Sequence, residues 1–384
     1  MNRGLQGKFF RQSTASESFE AFVPFNLPPK PPLEIDLLLL EQANRALGRL
    51  DSLTLLLPDP ALFLYFYVRK EAVLSSQIEG TQSSLSDLLF HEYQGAPGVL
   101  AEDVEEVSQY VAALNHGMER LREGFPLSLR LLREIHRILL SKGRGSTKAP
   151  GEFRRSQNWI GGSRPGNARF VPPPPDQVMG CMGDLEQYFH DQRSHTPLLL
   201  KAALAHVQFE TIHAFLDGNG RLGRLLISLI LCGEGALSEP ILYLSLYFKN
   251  HRDTYYDLLQ RVRLQGDWEA WTAFFLEGVK ETAEQAVKTA QRIMKLFADD
   301  RTRIEAMGQT TGNVSRLHSY LQEKPVLSIP KASRDVGISQ PTVTLALKKL
   351  EEIGLVKEIT GKARDRIYVY TQYLDILEEG AQPL

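Results

Sequence analysis

Apolar residues recur along most of this chain at helical spacing, in blocks separated by proline and glycine. Residues 33–57 carry Leu38, Ala43 and Leu50 among their apolar positions before Pro58 and Pro60 stop the run. Residues 62–78 start a second helix, with Gly80 just beyond it as the C′ residue. A short helix is predicted over 84–93, closed by Gly95, Pro97 and Gly98. Residues 103–122 repeat Val104, Val107, Val111 and Leu114 on one face, and 128–140 form another helix with Ser128 as its N-cap. His136, set among Leu131, Ile135 and Leu139, reads as a packed or surface histidine and not as a ligand. Residues 176–189 are helical, and Pro197 is placed at N1 of a mostly apolar run over 198–212. Residues 222–232 are almost continuously apolar, the mark of a buried helix. Residues 242–246, 255–264 and 267–276 continue the bundle, and a polar-rich helix reaches about residue 300 as a connector. The expected class is mostly α.

Three stretches break this pattern. Residues 1–32 are polar and then proline-rich, and predict an extended arm. Residues 151–175 hold two short β-like runs around a Gly/Pro/Asn loop, ending in Pro172 to Pro175, and predict a β-hairpin. From about residue 306 a helix at 314–321, a short one at 333–336, a turn at Gly337 and a third helix at 340–353 precede two β-like runs at 355–359 and 366–370. That order is similar to the winged helix-turn-helix of small bacterial repressors. It would put residues 339–344 at a DNA groove and Lys362, Arg364 and Arg366 on the wing, although acids nearly balance bases there.

Composition adds bounds. The 384 residues carry a net charge of −2, which gives no sign of a global nucleic-acid or anionic-membrane binder. Two cysteines, Cys181 and Cys232, lack metal spacing and fit a reducing compartment. No apolar run has the length of a membrane span or the form of a signal peptide, so the expected location is cytoplasmic.

The chemistry concentrates in one loop, His213-Ala214-Phe215-Leu216-Asp217-Gly218-Asn219-Gly220-Arg221-Leu222-Gly223-Arg224, between the two apolar helices. Gly218 and Gly220 can take positive φ and let backbone N–H groups converge. The following helix adds the positive end of its dipole. Arg221 and Arg224, three apart, are neighbours on its first turn. Asp217 offers hard oxygen suited to Mg²⁺ beside phosphate, and His213 can take a proton from a hydroxyl.

The loop also resembles the signature of the Fic family, His-x-Phe-x-Asp/Glu-Gly-Asn-Gly-Arg-x-x-Arg, with Ala214 in place of the usual proline. Upstream, Ser75-Ser76-Gln77-Ile78-Glu79-Gly80 resembles the family's inhibitory motif, in which a helix presents its glutamate to the second signature arginine. The resemblance covers about residues 33–280. It implies a Fic-type helical bundle with a β-hairpin flap. It implies transfer of AMP from ATP to a Ser, Thr or Tyr hydroxyl of a protein, with Mg²⁺. In that reading His213 is the base and Asp217 holds the metal. ATP is bound by Gly161 and Gly162 of the flap, by Gly218, Asn219, Gly220, Arg221, Leu222, Gly223 and Arg224, and by Tyr256. Glu79, with Ser75 and Gly80, is the brake on Arg224 and also borders the nucleotide. Gly220 stands where protein-phosphorylating relatives carry lysine.

The expected division is an arm over 1–32, a helical regulatory region over 33–100, a catalytic core over 101–300 and a winged helix-turn-helix domain over 301–384. Candidate partners are a protein target, the chain itself in auto-modification, DNA at the winged helix and a second copy in a homodimer, with no membrane. Two rival activities stay open: removal of AMP on the same fold, and DNA-binding regulation through the winged helix.

Overall fold

The computed structural model describes residues 3–14, 17–56, 60–91, 101–191, 193, 195–308, 311–362 and 364–383. The predicted closing turn at Gly95, Pro97 and Gly98 lies outside them. In chain order the elements are β1 (Gly7–Ser13), β2 (Ser18–Pro24), α1 (Leu37–Leu56), α2 (Pro60–Ile78), α3 (Leu85–His91), α4 (Ala101–Arg122), α5 (Leu129–Leu139) and α6 (Pro175–Phe189). Next come α7 (Leu198–Ile212), α8 (Asn219–Gly233), α9 (Ser245–Asn250), α10 (Arg252–Gln265) and α11 (Trp268–Glu305). The chain ends with α12 (Gly312–Glu323), β3 (Val326–Ser328), α13 (Ile329–Val336), α14 (Gln340–Glu352), β4 (Val356–Glu358), β5 (Ile367–Tyr370) and α15 (Thr371–Glu378).

Helix α7 is the axis of the bundle. Every residue from Leu199 to Ile212 is buried, so its polar side chains need partners inside the protein. Lys201 pairs with Glu234 at 2.8 Å. The His206 ring sits between the Gly223 carbonyl and the Tyr255 hydroxyl, both at 2.9 Å. Gln208 donates to the Phe25 carbonyl. Pro197 is the N-cap of α7, one position before the expected N1. Helix α8 is buried almost all round, as its apolar run predicts. Helix α11 is one helix of 38 residues, where the sequence suggested a bundle helix and a separate connector. Its buried face repeats Val279, Ala283, Ala286, Ala290 and Ile293, and the helix packs on α1, whose Ala43, Leu47 and Leu50 are buried. Position 300 falls inside it.

The N-terminal stretch is a β-hairpin and not an extended arm. β1 and β2 pair antiparallel from Gly7↔Pro24 to Ser13↔Ser18. Phe19 and Ala21 alternate inward to meet Val171 in a small cluster of their own. The 151–175 hairpin is reduced to one bridge, Ile160↔Phe170, closed over a 3-10 turn at Pro165–Asn167. In the C-terminal unit the sheet order is β3-β5-β4. Ser339 caps α14 by accepting from Thr342 N–H, and α13 starts four residues earlier than expected. β3 and α15 have no counterpart in the sequence reading, and α15 turns back onto α11, α2 and α3. Among the described residues no helix is long and apolar enough to cross a membrane, and both cysteines are free.

Candidate active site

Helix α7 ends on His213 in the left-handed region, at φ 49° and ψ 57°. A non-glycine residue holds that conformation only where its surroundings fix it. Arg154, only 3% exposed, donates to the carbonyls of His213 (2.9 Å), Ile212 (3.4 Å) and Pro173 (2.5 Å). Asn158 donates to the carbonyls of His213 and Phe215. These contacts satisfy the open carbonyls at the end of α7 and tie them to the base of the flap. The loop then closes on itself. Asn219 accepts from Phe215 N–H at 2.9 Å and donates to the Phe215 carbonyl at 2.8 Å. Gly218 takes φ 75° as the N-cap of α8.

His136 is the loop's second anchor. Gly151 N–H donates to its Nδ1 at 2.8 Å, so Nε2 carries the proton and donates to the Asp217 carbonyl at 2.9 Å. Its ring stacks on Phe215 at 3.8 Å. Burial pushes its pKa down to about 4, which keeps it neutral and leaves Nδ1 free to accept. The sequence read His136 as a packed or surface residue, of which the packed one holds, and it gave Arg154 and Asn158 no role. Only the fold brings these three onto the signature loop.

Charge is arranged around the start of α8. Arg224, 2% exposed, donates Nε to Ser75 Oγ and Nη2 to the Ser75 carbonyl, both at 2.9 Å. Nη2 also meets Glu79 Oε1 at 2.7 Å. The contact with Glu79 is therefore a single hydrogen bond from Nη2, which Ser75 shares while also taking Nε. Burial alone would raise the Glu79 pKa, but the charge and hydrogen bond of Arg224 hold it below the ordinary value. Gly80, at φ 96°, ends the turn that presents Glu79. Gly220 is tight against this carboxylate: a Cβ there would stand 2.2 Å from Glu79 Oε1. Arg221, 3% exposed, pairs with Glu106 at 2.7 Å and lies 3.6 Å from Asp217. Its Nε has no hydrogen-bond acceptor among the described residues. His213 is pushed down to about 4, first by burial and then by the charges of Arg263 and Arg154, so it is neutral and able to accept a proton at pH 7.

Two clefts meet at Glu79, His213 and Gly220. The larger, about 320 Å³, runs under the flap past Ile160, Gly161, Arg224, Tyr256 and Leu259. The smaller, about 200 Å³, is lined by Asp217, Gly218, Asn219, Arg221 and Arg144. The second cleft opens on the first turn of α8, whose leading N–H groups have no intrahelical acceptor. Three of the expected nucleotide residues line neither cleft. Leu222 is fully buried in the core. Gly223 packs against Glu210, where a Cβ would stand 2.3 Å from Oε1. Gly162 turns outward, with a Cβ position 2.5 Å from the Asn167 carbonyl. Ser75, expected in the inhibitory motif, accepts from Arg224 with its hydroxyl and its carbonyl. Both residues of the tyrosine pair line the larger cleft, Tyr255 from the buried side, where its hydroxyl meets His206.

Residues 37–119 match the Fic/DOC family N-terminal domain and residues 126–231 the Fic/DOC family domain. The chain carries a Fic domain. Residues 313–357 match a winged helix-turn-helix DNA-binding domain. The chain is 34% identical over 159 residues to the protein adenylyltransferase Fic of Aedes aegypti, which is 41% of this chain and 29% of that protein. It is 26% identical over 263 residues to the protein adenylyltransferase Fic of Drosophila willistoni, 68% of this chain and 48% of that protein. It therefore spans less than half the length of either relative. A Fic family protein from Desulfovibrio desulfuricans G20 has a similar fold, with TM-score 0.59 at 21% identity, over 90% of this chain and 98% of that one. A Fic-domain signalling protein from Bacteroides thetaiotaomicron aligns over 65% of this chain and 95% of its own, with TM-score 0.51 at 18% identity.

Proposed function

We propose that this chain is a protein adenylyltransferase that moves AMP from ATP to a Ser, Thr or Tyr hydroxyl of a protein, held in check by Glu79, and that it works in the cytoplasm. The observation that carries the reading is the meeting of neutral His213, the open first turn of α8 and the Glu79–Arg224 pair at the junction of the two clefts. The adenosine would occupy the larger cleft beside Tyr256. The phosphates would lie along the smaller one, on the N–H groups of Gly218 to Gly220, with Arg221 Nε as a waiting donor.

Among the described residues no cluster of three or more His, Cys, Asp or Glu side chains is placed to hold a metal. Asp217 is one carboxylate, 35% exposed, facing the phosphate cleft. One carboxylate plus substrate phosphates is a usual Mg²⁺ environment, so the residues fit that ion. Bound there, Mg²⁺ would supply charge neutralisation on the phosphates.

His213 accepts the proton of the target hydroxyl as that oxygen bonds to the α-phosphorus. The bond from the α-phosphorus to the bridging oxygen breaks, and pyrophosphate leaves with its electron pair. Arg224, once free of Glu79, fixes the terminal phosphate and so aligns the α-phosphorus for in-line attack. Incubating the chain with protein extract, Mg²⁺ and ATP labelled on either the α- or the γ-phosphate tests the reading. Stable labelling is expected from the α-label alone, and it should vanish in His213→Ala while ATP still binds. Labelling from the γ-phosphate, or undiminished transfer by His213→Ala, would overturn it.

A second activity, hydrolysis of AMP from a modified protein, is favoured by one feature: the Glu79 carboxylate borders both clefts beside His213, where it could orient a water. Loss of AMP removal in Glu79→Gly, without gain of transfer, would assign that role instead.

A further inference from the structure

The last turn of α2 carries the brake, and the segment that follows the winged helix is packed directly against it. β5 passes into α15 without a loop, and the chain after α15 runs back into the catalytic bundle. Three buried side chains of that bundle donate to consecutive carbonyls of this tail. Lys70 of α2, 2% exposed, holds the Glu379 carbonyl at 2.7 Å. Lys249 of α9, 5% exposed, holds those of Gly380 (3.2 Å) and Gln382. Gln77, 1% exposed, holds the Ala381 carbonyl at 2.8 Å and the Ser83 carbonyl at 2.9 Å with the same amide nitrogen. Ala381 is itself buried, and Gly380 takes φ 79° with no room for a Cβ, which would stand 2.8 Å from Leu246. Outside this row, Glu378 accepts from Ser86 N–H, and Arg292 of α11 grips the Glu379 carboxylate through both terminal nitrogens at 2.6 and 2.7 Å.

Gln77 lies between the two residues that engage Arg224, Ser75 and Glu79. Within the turn beyond it, Glu79 N–H and Thr81 N–H donate to the Ser76 carbonyl, and Gly80 N–H to that of Gln77; on the α4 side, Thr81 Oγ1 donates to Glu106 at 3.3 Å and Gln82 N–H to Asp103 at 3.0 Å. A helix terminus frays unless tertiary contacts hold it. Here α4 holds the far side of the turn, and Gln77 at its start is held by a peptide far along the chain, through the Ala381 carbonyl. We infer that residues 378–382 are a latch that keeps the α2 terminus, and with it Glu79, seated on Arg224. The latch rests on the reading of Glu79 as a brake. It extends that reading by naming the partner that sets the brake: this chain's own tail, delivered by the winged-helix unit.

Deleting residues 379–384 removes the acceptors of Lys70 and Lys249 and one of the two acceptors of Gln77. Lys249→Met removes two of the contacts without touching α2 or the signature loop. Both are compared with the full chain by labelling from α-labelled ATP and by hydrogen exchange, each with Glu79 and with Glu79→Gly. Both are expected to speed amide exchange at residues 77–81 and to leave α14 unchanged. They should raise labelling at least several-fold where Glu79 is present, and not further in Glu79→Gly. A peptide of residues 371–384 added to the truncated chain should restore the low rate. Faster exchange at residues 77–81 with unchanged labelling, while Glu79→Gly is activated, would overturn the latch alone. An equal rise in both backgrounds would do the same. If Glu79→Gly is itself not activated, the brake fails, and the latch with it. Should the truncated chain not fold, Lys249→Met carries the same comparison.

Discussion

Replacing Glu79 by glycine tests the brake most directly, and the structure sets the size of the effect. Arg224 must leave Glu79 before it can hold a terminal phosphate. What it gives up is one charge-assisted hydrogen bond at 2.7 Å, a type worth about 1.5–3 kcal/mol. The Glu79 side chain is 34% exposed, so solvent screening reduces this to roughly 1–2 kcal/mol. The bonds from Arg224 to Ser75 remain in the variant. Removing the competitor should therefore speed AMP transfer by roughly 5- to 30-fold. Label transfer from α-labelled ATP, on protein shown to be folded, reads the change. Glu79→Gln, which keeps an acceptor and loses the charge, should fall between the two. Arg224→Ala should not be activated, because the anchor for the phosphate goes with the partner of the brake, and the double variant should match Arg224→Ala alone. Since Glu79 sits below its ordinary value, its pair with Arg224 persists as pH falls until that depressed value is passed. The full chain should accordingly stay inhibited between pH 6 and 8. No activation by Glu79→Gly, or equal activation with Arg224→Ala present, would refute the reasoning.

Three further outcomes are expected. Asn219→Ala leaves the Phe215 N–H without its acceptor inside the loop, a cost of roughly 1–3 kcal/mol. It should lower kcat at least about tenfold, since a misplacement near 1 Å can cost on the order of 100-fold; a kcat near that of the full chain would count against the loop's role. His136→Ala frees the Asp217 carbonyl, so half-saturating Mg²⁺ should rise roughly tenfold, the usual effect of losing an outer partner of a metal ligand; an unchanged Mg²⁺ requirement would show that Asp217 needs no such support. Stability should be nearly flat around pH 7 and fall below about pH 6. Burial pushes His136, His206, His213 and His318 down to about 4, 3, 4 and 4, and pushes Glu71 and Glu210 up to about 7. On unfolding in acid the histidines take up protons, which costs stability as pH falls through about 6.5. The two carboxyls work the other way, being protonated in the folded state between about 7 and 4.5. The four outnumber the two below pH 6, so the slope should approach about 2–3 kcal/mol per pH unit, and a Tm that rises from pH 6 to pH 5 would contradict it.

The grouping of residues on the α7–α8 loop was legible in the sequence because it is local. Twelve consecutive residues hold His213, Asp217, the glycines and both arginines, and the two apolar runs beside them fix where one helix ends and the next begins. The helices were legible for the same reason: a period of 3.6 needs only its own neighbours. What the tertiary structure decided is what no short window contains. The Glu79–Arg224 pair joins residues 145 apart, and the backbone of His213 is fixed by Arg154 and Asn158 from the 151–175 segment. His136 looked like core because it is core; its ring nitrogens meet Gly151 and Asp217 only once α5 packs beside the loop. The N-terminal hairpin was hidden because its alternation is short and its inward residues are few, so it reads as strand only with Val171 to pack against. The return of the tail onto α2 has no local sign at all. Backbone carbonyls carry no sequence identity, and burial of Lys70, Gln77 and Lys249 becomes affordable only when those carbonyls arrive.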